Sequence, residues 1–307
     1  MNKPKVLSHK IKAEAARLGF SACGITSAHI SNNRDYLSQW LGKGYQADMS
    51  YLENNFDKRC NPLLLVDNAR SIICVALNYY PRKKLQDDQL QFAYYAYGKD
   101  YHDIMKEKLN ELFSYINTEL LPIKGRAFCD TAPVLERYWA QQAGLGWIGK
   151  NTLLIIPHAG SYFFLGELII DAELAYDSPV PSRCGNCTRC LDACPTKALE
   201  HPYLLNANKC LSYLTIENKC DIKEEYRLKM GNYIYGCDRC QKACPWNRFA
   251  RPNTISELQP SEEFLNMTSE DWEKLTVEEY RTLFKGSAVK RAKYEGLMRN
   301  IRAIKNE

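Results

Sequence analysis

Apolar positions near the start of the chain follow helical spacing and then extended spacing. Val6, Leu7, Ile11, Ala15 and Leu18 recur every three or four residues, which predicts a helix over 5–18, closed by Gly19 as a C-terminal cap. The run FSACGI that follows reads as a strand. The same reasoning predicts strands at Ser71–Leu77, Gly125–Cys129, Thr152–Ile156 and Tyr162–Ile170, and helices over Tyr101–Leu121 and Pro133–Ala143. Strands interleaved with helices define a layered α/β (α+β) domain over residues 1–176.

At 177–186 the pattern breaks. DSPVPSRCGN carries turn residues and two prolines, and nine of the 13 cysteines fall in the unit expected over 177–250. Residues 251–307 turn charged and helical, with helix starts at Ser269-x-x-Trp272 and Thr276-x-x-Glu279, the second a capping box.

Composition limits the possibilities. With 45% apolar and 25% charged residues in 307, the chain is expected to fold throughout into two or three units. The opening MNKPKVLSHK has neither the apolar run of a signal peptide nor paired arginines, and no later stretch suits a bilayer, so a cytoplasmic protein without membrane contact is expected. Thiols stay reduced there, and an odd number of cysteines argues against a full disulfide framework, which leaves metal binding or catalysis. The net charge of +5 is uneven: residues 281–307 carry +6 and the remainder −1. A basic end of this kind suits contact with nucleic-acid phosphates, and equally a solvated helix face.

The cysteine spacing is the most specific signal. Cys184-x-x-Cys187-x-x-Cys190-x-x-x-Cys194-Pro195 is the bacterial ferredoxin pattern, in which three thiolates meet one cubane and the fourth faces a second cluster. Cys237-x-x-Cys240-x-x-x-Cys244-Pro245 repeats it with one cysteine missing. Crossed ligation assigns Cys184, Cys187, Cys190 and Cys244 to one 4Fe-4S cluster, and Cys194, Cys237 and Cys240 to the other. Cys210 and Cys220 are the candidates for the last position. Cys210 is preferred because NANKCLSYLTIE has the apolar spacing of a helix that turns it inward. Structural zinc would also satisfy eight thiolates, but zinc ribbons use separated Cys-x-x-Cys pairs rather than a continuous run ending in proline. Cys23 and Cys74 sit in apolar strands as small hydrophobes, and Cys60 and Cys129 have no partner legible in the sequence.

GLGWIGKN at 144–151 matches G-x-G-x-x-G and nearly a P-loop. A phosphate loop must run from strand into helix, whereas here a helix precedes and a strand follows, and Asn151 replaces the hydroxyl that would bind magnesium. A nucleotide site is rejected on that context.

YAYGKDYHD (95–103), CDTAPVLER (129–137), GLGWIGKNTLLI (144–155), CLSYLTIE (210–217) and GCDRCQKACPWN (236–247) together resemble the epoxyqueuosine reductase family over almost the whole chain. The resemblance implies cobalamin beside two 4Fe-4S clusters and a two-electron reduction of epoxyqueuosine to queuosine at the tRNA wobble position, the epoxide oxygen leaving as water. It further implies a flavodoxin- or ferredoxin-type low-potential donor and a monomer. It casts Asp130 as the proton-donating acid and places Arg59, Lys150, Asn151, Ser212 and Asp238 at the cobalamin. An acid in that role is expected in a pocket that raises its pKa, while the residues alone favour Asp130 as a helix N-cap before Pro133, and only the resemblance reverses that preference. Tyr101 and His102 are candidates for substrate contact, and Tyr94, Tyr95 and Tyr97 for covering the cofactor or packing. Longer relatives continue into a helical-repeat region beyond the position of Glu307, so tRNA affinity is expected either to be weaker or to depend more on 281–307. Two other readings use the same motifs: a reductive dehalogenase, which would call for an export signal, and a ferredoxin-like carrier, which leaves the first 176 residues unexplained.

Overall fold

The long apolar strands pair side by side in a computed structural model that describes residues 3–305. The strands are β1 (Ala22–Ser27), β2 (Ser71–Asn78), β3 (Gln91–Phe92), β4 (Gly125–Phe128), β5 (Trp147–Ile148), β6 (Leu154–Ile155), β7 (Phe163–Ile170), β8 (Leu199–His201), β9 (Leu204–Leu205) and β10 (Tyr233–Tyr235). The main sheet runs β1-β2-β7-β4 with every pair antiparallel, so the layered domain takes the α+β form. Strand β2 is buried on both faces. Ile73, Val75 and Leu77 meet the first helix (Lys3–Arg17) and the helix Tyr101–Tyr115, while Ile72, Cys74 and Ala76 lie under the helix Glu136–Gln142.

Three elements depart from the expected spans for local reasons. The helix from Tyr101 ends its α-helical course at Tyr115 and continues as a wider π turn through Ile116–Leu120. The helix expected from Pro133 begins at Glu136, because Asp130 takes a left-handed backbone (φ 51°) and the following residues form a loop. The strand expected at Thr152–Ile156 contracts to β6, since Thr152 (φ 67°) closes a turn onto the Gly149 carbonyl. Gly146 is required at the foot of that hairpin, where a Cβ would stand 2.1 Å from the Ile155 carbonyl oxygen.

In the cysteine-rich segment two short helices, Arg189–Asp192 and Arg239–Lys242, pack on each other. Strand β10, just before Cys237, pairs in parallel with β3. Helices after residue 251 close over β3: Phe264, Trp272 and Phe284 lie 5.0, 5.1 and 6.0 Å from the Phe92 ring. The Thr276/Glu279 capping box forms as expected; the preceding helix is capped by Thr268 with Asp271, one residue ahead of the expected Ser269.

The basic end is partly built into the fold. The helix Lys293–Lys305 buries Leu297 and Ile301, Arg291 pairs with Glu217 at 2.8 Å, and Lys305 pairs with Glu273. Glu307, counted in the +6, lies outside the described residues. No helix among the described residues is long and apolar enough to cross a membrane.

Candidate redox site

A cavity of about 390 Å³ opens between the main domain and the cysteine-rich segment. Cys194, Cys210, Cys237 and Cys240 line it, and Cys240 lies within electrostatic reach of the other three. Cys210 gets there because it caps the short helix Leu211–Ile216, which turns its first residues toward the cavity. Cys220 is exposed and outside this lining. Cys244 sits beside Cys184 and Cys187, and Cys190 beside Cys244 and Cys184.

The sulfurs suit cluster iron. Burial pushes the Cys237 thiol up to about 12, Cys190 to about 11 and Cys240 well above its ordinary value, so neutral thiols are favoured until positive metal charge is supplied. N–H donors already aim at two of them: Trp147 Nε1 lies 3.4 Å from Cys184 Sγ, and the Ala198 amide 3.3 Å from Cys194 Sγ. Such donors stabilise sulfur charge and tune cluster potentials.

The residues expected at the cofactor fall in different settings. Asn151 is buried at the cavity wall, and its Nδ2 has no hydrogen-bond partner among the described residues. Arg59 donates to the Tyr51 carbonyl at 3.2 Å, while its buried Nε is likewise unpartnered. Buried polar atoms normally find partners, so Asn151 is positioned to meet a ligand in the cavity, whereas Arg59 lies outside the cavity lining. Ser212 lines the cavity. Asp238 also lines it, accepts the Tyr94 amide at 2.7 Å, and is pushed up to about 6 by burial. Lys150 donates to the Gly185 and Cys187 carbonyls at 2.6 and 3.0 Å, which commits its ammonium to the first cysteine loop. Of the three tyrosines, Tyr95 faces the cavity; Tyr94 and Tyr97 pack on each other at 5.3 Å. Sequence reading missed Arg137, which lines the cavity and donates to the Thr152 carbonyl at 2.5 Å. Its only signal was its place in CDTAPVLER.

At the cavity's Tyr101 edge a compact acid–base group assembles. Asp100 caps the helix Tyr101–Tyr115, so Tyr101 and His102 occupy its first turn, and Tyr101 stacks on Phe164 at 4.1 Å. Tyr101 Oη donates to Asp130 Oδ2 at 2.9 Å, and His102 Nε2 lies 3.1 Å from the same oxygen. His102 Nδ1 meets Asp100 Oδ1 at 2.6 Å. Flanked by two carboxylates, His102 is pushed up to about 9 and is protonated at neutral pH. Asp130 is therefore no helix cap, and its pKa moves opposite to the expected direction: the His102 hydrogen bond holds it below the ordinary carboxylate value against burial. Its side chain remains 56% exposed and open to a ligand.

Two sets of four cysteines beside a cleft with an acid–base group define an iron–sulfur oxidoreductase, and residues 183–247 match the 4Fe-4S double cluster binding domain. Residues 59–131 match the family described as epoxyqueuosine reductase QueG. The chain is 46% identical over 306 residues to the epoxyqueuosine reductase of Cellulophaga algicola, spanning 99% of this chain and 100% of that one. A solved epoxyqueuosine reductase with a tRNA-Tyr epoxyqueuosine-modified stem loop superposes with TM-score 0.87 at 31% identity, covering 97% of this chain and 80% of that one. The Bacillus subtilis epoxyqueuosine reductase superposes with TM-score 0.89 at 31% identity over 97% and 81% of the two chains, and in that structure the catalytic aspartate loop is swung out of the active site. This chain belongs to the epoxyqueuosine reductase family.

Proposed function

We propose that this chain reduces epoxyqueuosine to queuosine in the anticodon loop of tRNA, with Asp130 as the group that delivers protons to the departing oxygen. The observation that carries the proposal is the Tyr101–Asp130–His102 group beside a cysteine-lined cavity, in a chain that matches a reductase over its full length. Removing an epoxide oxygen as water takes two electrons and two protons and leaves a carbon–carbon double bond. Two 4Fe-4S clusters on the two cysteine sets, and a cobalamin held by Arg59, Asn151, Ser212 and Asp238, supply the electrons when bound.

The protein's own part is proton handling and orientation. At rest His102 keeps a proton because Asp100 and Asp130 flank it. Negative charge developing on the epoxide oxygen draws that proton across the 3.1 Å contact to Asp130 and on to the substrate. Tyr101 fixes the carboxylate rotamer through its 2.9 Å bond. A wobble base must leave its stack to reach this pocket, and apolar walls at Phe163, Phe164 and Tyr95 suit an extruded nucleotide.

Exposed Arg281, Lys285, Lys290, Lys293 and Arg302 are proposed phosphate contacts. A second cavity, of about 320 Å³, carries Arg189, Lys242 and Arg248 beside Cys244, which suits an acidic flavodoxin- or ferredoxin-type donor. Joint Arg189→Glu and Arg248→Glu substitution is expected to raise the KM for reduced flavodoxin several-fold; an unchanged KM would move the docking site elsewhere. The reading places the protein in the cytoplasm as a monomer. Anaerobic reconstitution with iron, sulfide and cobalamin, followed by nucleoside mass spectrometry of epoxyqueuosine-containing tRNA, tests the whole proposal. Unchanged epoxyqueuosine in the presence of a competent reductant would overturn it.

A further inference from the structure

Behind Asp130 stand two carboxyl groups that the scheme above leaves unused. Glu167 lies in the middle of β7, 0% exposed, and neither of its oxygens has a hydrogen-bond partner among the described residues. It is paired with Cys74 on β2 and Phe128 on β4. Alternation along β7 turns its side chain, like that of Ile169, toward the layer under the helix Glu136–Gln142. Glu136 opens that helix, and its Oε1 accepts the Asp130 amide at 2.5 Å. Because Phe128 pairs with Glu167 and Asp130 follows two residues later, three carboxyl groups run in order from core to cleft.

A purely structural carboxyl in a core is expected to be hydrogen-bonded, or replaced by an apolar group of the same size. Glu167 is neither. Burial keeps it protonated, reinforced by the nearby Glu136. Glu136 is itself pushed up to about 8, by burial first and the Asp130 charge second, with the Asp130 amide, Arg137 and His102 pulling the other way. The Cys74 and Cys129 thiols near the pair are pushed up by burial and stay neutral, and Tyr101 and Arg59 complete the surroundings of Glu136. At neutral pH the pair thus holds protons directly behind an aspartate that is ionised.

We propose that Glu136 and the buried Glu167 form a proton reserve that reloads Asp130 during turnover, with Glu136 as the relaying residue. The proposal rests on the reductase reading, in which each turnover consumes two protons while His102 holds one. The first proton reaches the oxygen from His102 through Asp130. The second passes from the Glu136 carboxyl, which already holds the Asp130 amide, to Asp130 and then to the oxygen. Two electrons arrive from the low-potential carrier, both carbon–oxygen bonds break, and water leaves. Glu136 then draws on Glu167, and solvent reaching the exposed Asp130 side chain refills His102 and the glutamate pair.

Glu136→Gln tests this most directly, because glutamine still offers an oxygen to the Asp130 amide but carries no proton. The holoenzyme is expected to show infrared carbonyl bands of protonated carboxyls at neutral pH, with one band lost in Glu136→Gln and another in Glu167→Gln. Turnover of Glu136→Gln is expected to fall about tenfold or more and to lose the alkaline limb expected for wild type near pH 8. Glu167→Gln, by offering an N–H to the Glu136 carboxylate, should shift that limb to lower pH. Should Glu167→Gln fail to fold, Glu136→Gln alone decides. Unchanged bands, or an unchanged pH profile in Glu136→Gln, would overturn the reserve. The infrared result stands even if wild type leaves epoxyqueuosine untouched, so failure of the reserve and failure of the reductase reading are separable.

Discussion

The Lys150 ammonium sits 3.0 Å from the carbonyl oxygen of Cys187 and also holds Gly185, so a residue of the glycine segment fastens the first cysteine loop to the main domain. A compact ammonium with two carbonyl acceptors is a strong tie, since hydrogen bonds to charged groups exceed neutral ones. Lys150→Met is expected to speed chelator-driven iron loss from the cluster nearest that loop several-fold, followed by iron release and electron paramagnetic resonance. Unchanged iron release with weakened cobalamin retention would instead put the ammonium on the cofactor.

The Asp130 and His102 pair makes a two-part prediction. Asp130→Asn should slow turnover about 100-fold or more while iron content stays at the wild-type level, because only proton delivery is lost. Wild-type turnover in this variant would remove Asp130 from the acid role. The second part concerns stability. The His102 pKa is raised in the folded state to about 9, so its ion pairs contribute fully below the ordinary histidine value near 6.5 and the contribution disappears as pH rises through about 9. His102→Gln should therefore lower Tm by about 2–4 °C at pH 6 and by little at pH 10. A gap of the same size at both pH values would show packing, not charge, at this position.

The two loose cysteines separate cleanly. Cys210 lines the cavity with Cys194, Cys237 and Cys240, and Cys220 is exposed with its carbonyl bound by Arg299. Cys210→Ser is expected to lose about half of the bound iron, one of two equal clusters, whereas Cys220→Ala should retain all of it. Equal iron loss in both variants would leave the ligand assignment open to exchange between them.

Periodicity located the first helix and the four main strands because each buries a continuous apolar face. It carried no information on pairing: that β7 lies between β2 and β4 depends on contacts between residues some forty to a hundred positions apart. The cysteine spacing was readable because cluster geometry constrains neighbouring residues directly. The charge state of Asp130 was not, since it depends on His102 and Asp100, about thirty residues away in the sequence and adjacent only after folding. Glu167 was equally silent, being one polar residue in an apolar strand whose unpaired state appears only when its neighbours are known.

The basic C-terminal segment divides by what each cation touches. Arg299 donates through Nη1 to the carbonyls of Asn218 and Cys220 at 2.6 and 2.8 Å, and through Nη2 to Leu214 at 3.0 Å. Its neighbour Asn300 holds the Thr215 and Ile234 carbonyls, each at 2.8 Å. Together they satisfy the C-terminal end of the helix Leu211–Ile216, whose first turn carries Cys210 and Ser212. Arg299→Ala leaves several of these carbonyls without a donor and is expected to cost about 2–3 kcal/mol, seen as a lower denaturant midpoint. The affinity for tRNA of the fraction that remains folded should not change. Lys290 and Arg302 have exposed side chains, and alanine at either should leave the midpoint in place while weakening tRNA binding and reducing its salt slope by about one unit. If Arg299→Ala weakened tRNA binding with no loss of stability, its guanidinium would belong to the RNA surface, and the helix that presents Cys210 would need another support.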